Sequence, residues 1–86
     1  MRIDVVLNKI CIVKTRTMAK NACDNDAVII NDKIAKSSHD VKINDVIECN
    51  LFGYKTIIKI TKIPEGNVSK KDVMTYYQII NRNQVL

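Results

Sequence analysis

Between Val13 and Cys23 the chain reads Val-Lys-Thr-Arg-Thr-Met-Ala-Lys-Asn-Ala-Cys, with Lys14, Arg16 and Lys20 and no acid. Thr15 has the hydroxyl that caps a helix start, and Met18, Ala19, Ala22 and Cys23 then share one face at helical spacing, which sends the three cations to the other side. A helix start also exposes unsatisfied backbone N–H groups, so this stretch has the chemistry to bind phosphate. Arg16 is the strongest candidate, because a guanidinium grips phosphate at two points. A solvated helix face is the commoner meaning of such an arginine, and composition alone leaves both readings open.

Other chemistry has little support. His39 is the only histidine, lies in a polar stretch beside Asp40, and has no serine or cysteine at a spacing that suggests a nucleophile. There is no glycine-rich phosphate loop, paired-carboxylate motif or metal-ligand cluster, so neither catalysis, a cofactor nor a metal is expected. Cys11, Cys23 and Cys49 are odd in number and widely spaced, which argues against a disulfide frame or zinc site; all three read as buried, reduced thiols. The aromatics Phe52, Tyr54, Tyr76 and Tyr77 lie outside the basic stretch, so any nucleic acid would be read by phosphate position and shape rather than by base stacking.

These groups must be positioned by a small fold. A chain of 86 residues, 47% hydrophobic and 27% charged, supports one core, and its net charge of +5 favours a polyanionic partner without requiring one. No wholly apolar run exceeds four residues, as at Ile10–Val13, and Arg2 follows Met1 directly, so neither a membrane span nor a secretory signal is expected and the chain should stay in the cytoplasm.

Ile3, Val6, Leu7 and Ile10 predict an amphipathic helix over 2–11, with Asp4 either complementing the helix dipole or orienting Arg2 or Arg16. Thr15 restarts the helix, and Asp24-Asn25-Asp26 ends it. A short strand 27–30, an Asn31-Asp32 turn and a return from Lys33 follow; then come the polar stretch 36–40, a second turn at Asn44-Asp45, and strands over 46–51 and 55–63. Ser69-Lys-Lys-Asp72 reads as a capping box, with Val73, Tyr76, Tyr77 and Ile80 predicting a last helix over 70–81.

Arg2-Ile3-Asp4, then Thr15-Arg16-Thr17-Met18-Ala19, then Val41-Lys42-Ile43-Asn44-Asp45-Val46-Ile47, in this order, resemble the S-four RNA-binding domain, named after the fourth protein of the small ribosomal subunit. The resemblance covers residues 2–48. It implies an α+β fold: an alpha-L motif of two helices and a short hairpin in residues 1–50, extended within the same domain by a small antiparallel sheet and a C-terminal helix in residues 51–86. The family's customary glycines are here Asp26, Asp32 and Asn44, residue types that tolerate positive φ. The RNA-contacting set becomes Arg2, Asp4, Lys14, Thr15, Arg16, Thr17, Lys20, Lys33, Lys36, Ser37 and Ser38.

A free-standing domain of this size, with such an extension, is similar to the family's small ribosome-associated quality-control and heat-shock factors. That similarity implies a non-catalytic protein, monomeric off the ribosome, that binds rRNA and tRNA on a large subunit obstructed by peptidyl-tRNA and assists a tailing partner. A heat-shock or ribosome-assembly role is the alternative. A third reading, from another class, is a protein-interaction module using a sheet edge or the last helix, with the basic face incidental.

Overall fold

The computed structural model describes residues 1–84. Two helices, α1 (Ile3–Lys9) and α2 (Arg16–Asp24), precede β1 (Val28–Ile30), β2 (Lys33–Ile34), β3 (Val46–Leu51) and β4 (Tyr54–Ile60); a 3-10 turn at Lys70–Thr75 then leads into β5 (Tyr77–Gln84). The five strands form one antiparallel sheet in the order β2-β1-β3-β4-β5. The expected α+β class and helix-helix-hairpin order are present. Because β3 holds both Asn50 and Leu51, the sheet runs unbroken from the two-helix motif into the extension.

The core lies between the helices and one face of the sheet. Ile3, Val6, Leu7 and Ile10 of the first helical segment meet Ala19, Ala22 and Cys23 of α2, and below them lie Val28, Ile30, Ile47, Cys49, Ile58 and Ile60 from alternate strand positions. The opposite sheet face mixes charged side chains with half-buried Ile29 and Ile57 and exposed Ile34, and has Lys55 Nζ 3.5 Å from Glu48 Oε1.

Both helices close in the same way. Ile12 N–H donates to Leu7 O (3.0 Å) and Cys11 N–H to Asn8 O (3.1 Å); Ala27 N–H donates to Ala22 O (2.9 Å) and Asp26 N–H to Cys23 O (3.1 Å). These are two Schellman motifs, and each needs a left-handed residue just past the helix. Cys11 (φ 63°) and Asp26 (φ 58°) supply it. The first helix therefore stops before the expected 11, and Cys11, expected to be buried, is exposed: the left-handed turn directs it away from the aliphatic stripe. Cys23 and Cys49 are buried as expected.

Both expected turns contain positive φ. Asn31 (50°) and Asp32 (69°) form a two-residue hairpin between Ile30 and Lys33, and Asn44 stands at 76°. The two turns are tied together: Asn31 Nδ2 donates to Asp45 Oδ1 (3.1 Å), and Val46 N–H donates to Asn31 Oδ1 (3.0 Å).

The chain end departs from expectation. The helix over 70–81 is replaced by the 3-10 turn and β5, which pairs with β4 from Tyr54↔Gln84 to Ile60↔Tyr77. Tyr77, Ile79 and Ile80 suit a strand as well as a helix, and the open edge of β4 offers a ladder of hydrogen bonds that a short helix does not satisfy. Ser69 makes no side-chain cap, so the capping-box reading fails too. Among the described residues no helix is long and apolar enough to cross a membrane.

Candidate nucleic-acid interface

The starts of α1 and α2 are brought together by the packing of their apolar faces, and Arg2 and Arg16 flank that junction. Between them sits Asp4, only 1% exposed. Its Oδ2 accepts from Arg2 Nη2 at 3.1 Å and from Arg16 Nε at 3.4 Å, while Oδ1 accepts from Val5 N–H at 2.8 Å. A buried carboxylate is tolerated because both oxygens are engaged and two guanidinium groups offset its charge. Of the two roles open to Asp4, orienting arginines is realised at both, and its place in the first turn of α1 also suits the helix dipole.

Both arginine side chains stay about half exposed, 46% for Arg2 and 56% for Arg16. Arg16 is held through Nε, so its two terminal amino groups remain for a ligand. With Asp4, Thr17 and Lys20 they line an open cavity of about 330 Å³. Thr15 caps α2 by accepting from Met18 N–H (3.1 Å), which leaves the first-turn N–H groups of Arg16 and Thr17 without intrahelical partners beside that cavity. The arrangement is three cations and a helix start around one buried acid, suited to an anion of phosphate size and charge.

The other candidates are distributed more widely. Lys14 lines a neighbouring cavity with Asn8, Cys11, Val13 and Lys70, the last from a segment that sequence spacing does not connect to Lys14. Lys36, Ser37 and Ser38 border a third cavity that also includes Asp24 and Asp26, so its charge is mixed. Ser37 has a second role through its backbone: its carbonyl accepts from Asp4 N–H (3.4 Å), and His39 O accepts from Ile3 N–H (2.8 Å), fastening the 36–40 stretch over the start of α1. Lys33 is exposed on the hairpin beyond these cavities.

The aromatics lie elsewhere. Arg82 stacks 4.7 Å from the Tyr54 ring centre, and both border a separate cavity of about 190 Å³ with Phe52 and Tyr77. Burial pushes the Cys23 thiol up to about 11, with the negative charges of Asp4 and Asp24 adding to the effect, and pushes Cys49 to about 12. Among the described residues no group of three or more histidine, cysteine or acidic side chains is placed to hold a metal ion.

The S4 domain profile, the S-four domain of the sequence resemblance, matches residues 1–47, the part that carries both arginines and Asp4. Along nearly its whole length the chain is similar to the RQC P-site tRNA stabilizing factor of Streptococcus pneumoniae, with 33% identity over 99% of this chain and 96% of that protein. The factor of the same name from Helicobacter pylori strain J99 is 38% identical over 88% of this chain and 92% of its own. In structure, the chain is similar to the trimeric heat shock protein 15 of Vibrio cholerae, with a TM-score of 0.86, 26% identity, and coverage of 92% and 80% of the two chains. The chain belongs to the S4 domain family.

Proposed function

We propose that this protein is a non-catalytic RNA-binding factor of ribosome-associated quality control, binding rRNA and tRNA on large ribosomal subunits that carry peptidyl-tRNA and thereby assisting C-terminal tailing of the stalled chain. The observation that carries this reading is the convergence of Arg2, Arg16 and Lys20 with the α2 start around Asp4. Such a site binds phosphate without reading bases, which suits a protein whose aromatics lie apart from its basic face. The relatives named for stabilizing P-site tRNA in quality control direct the choice of RNA. Lys14, Thr15, Thr17, Lys33, Lys36, Ser37 and Ser38 complete the proposed contact set, Thr15 by shaping the α2 start.

Sedimentation through sucrose gradients tests it. Association with large subunits at low salt that is lost at high salt, with peptidyl-tRNA in the bound particle, is expected. Sedimentation free of ribosomal particles at both salts would reject it. The open edge of β5, with Ile79 and Ile80 exposed, favours a second reading in which a protein partner adds a strand there.

A further inference from the structure

The cavity shared by Lys14 and Lys70 is built from opposite ends of the chain. It measures about 380 Å³ and is lined by Asn8, Cys11, Val13, Lys14 and Lys70. Both lysines are exposed, and neither is ion-paired among the described residues, although Glu65 and Asp72 lie close to Lys70 in sequence.

Each lysine is set by its surroundings. Asn8 Nδ2 donates to the Lys14 carbonyl (3.1 Å), buried Val13 anchors the chain before it, and the Thr15 cap fixes the chain after it. On the other side, Lys9 Nζ donates to Gly66 O, drawing the 64–69 segment against the end of α1. The 3-10 turn that begins at Lys70 is fastened at its far end, where Thr61 Oγ1 donates to Thr75 O (3.0 Å) and Thr61 N–H donates to Tyr76 O (2.9 Å). Val73 and Tyr76 pack against the core.

We propose that Lys70 and Lys14 form a second phosphate site for the same RNA strand, carrying the interface from the two-helix motif into the C-terminal extension. This rests on the RNA-binding reading of the Arg2–Arg16 site. Thr15 is extended (φ −137°, ψ 156°), so Lys14 and Arg16, with this one residue between them, stand about 7 Å apart along the backbone. That is the scale on which a polynucleotide presents successive phosphates. Arg16 lines one cavity and Lys14 the other, so in this proposal a strand leaving Arg16 meets Lys14 and Lys70 next. An acidic peptide could satisfy two lysines, but the continuity with a guanidinium-lined phosphate site favours RNA.

The test uses purified large ribosomal subunits carrying peptidyl-tRNA, titrated with full-length protein at several salt concentrations. Lys70→Ala is expected to weaken binding roughly 3- to 10-fold and to lower the salt slope by about 0.7 to 0.9, the release of one counterion; Lys70→Arg retains the slope. With Arg16→Ala the losses should multiply, as for separate contacts. If Lys70→Ala matches wild type in affinity and slope while Arg16→Ala is impaired, the second site is rejected and the first stands. If wild type itself fails to bind, both are rejected. Thermal melting accompanies each variant, and should Lys70→Ala melt early, Lys14→Ala reads the same cavity: an unchanged slope in that variant rejects the site.

Discussion

Asp4 grips Arg16 by its inner nitrogen, Oδ2 to Nε at 3.4 Å, and so restricts the guanidinium without occupying the two amino groups that would face a phosphate. The contact spans helices that sequence places twelve positions apart. Arg2, bound to the same oxygen at 3.1 Å, is positioned by the same acid. A buried carboxylate in this place makes a pair of flexible cations into a preorganised site, at the expense of desolvating one charge.

Asp4→Asn is therefore expected to loosen both arginines and to destabilise the fold by about 1 to 3 kcal/mol, the worth of a charged hydrogen-bond set. Both cations remain, so RNA affinity should fall while the salt slope stays near that of wild type. Binding titrations across salt, with denaturant melts alongside, check this. A slope that drops by a full counterion would show that Asp4 does more than position.

Cys11 and Asp26 carry the left-handed turn of the two Schellman motifs, where glycine has no side-chain penalty. Cys11→Gly and Asp26→Gly should each stabilise the protein, by up to about 1 kcal/mol, after the entropy that glycine adds to the unfolded chain is subtracted. Chemical denaturation measures it. A loss of stability in both variants would contradict the strain assigned to these positions.

Cys11 is exposed, whereas Cys23 and Cys49 are buried and their thiols are pushed to about 11 and about 12. One thiol should label rapidly in native protein at neutral pH and two only slowly. The raised values also fix a pH dependence. The native state keeps protons that the unfolded chain releases above the ordinary value of 9.0, so this contribution is whole below pH 9 and is lost as pH rises toward 11 for Cys23 and 12 for Cys49. Cys23→Ala/Cys49→Ala should lose less stability than wild type between pH 9 and 10.5. Parallel losses in the two proteins would contradict it.

Local signals carried much of the fold. The Thr15 cap, the Asp24-Asn25-Asp26 stop and the Asn31-Asp32 hairpin each follow from the backbone preferences of a few adjacent residues, and each stands where its sequence puts it. The arginine pair was legible from helix periodicity, because two amphipathic helices that bury facing stripes bring their starts together. Three features were not legible: the exposure of Cys11, which the left-handed turn after α1 takes off the aliphatic stripe, and two that the tertiary fold decides. The fate of Tyr77–Gln84 depended on a vacant β4 edge, a tertiary circumstance that overrides helical spacing in Val73, Tyr76, Tyr77 and Ile80. Lys70 comes to line a cavity with Lys14 through tertiary contacts such as that of Lys9 with Gly66, across 57 positions.

The most direct measurement compares Arg16→Ala with Lys59→Ala, on β4 away from the arginine cavity, in binding to large subunits carrying peptidyl-tRNA across a range of salt. Both variants remove one positive charge. Arg16→Ala is expected to cost about 1.5 to 3 kcal/mol, at least a tenfold loss, and to flatten the salt dependence by about one counterion, while Lys59→Ala changes little. Equal losses from the two, in proteins that melt like wild type, would mean that binding follows net charge alone and that the site around Asp4 does not bind RNA.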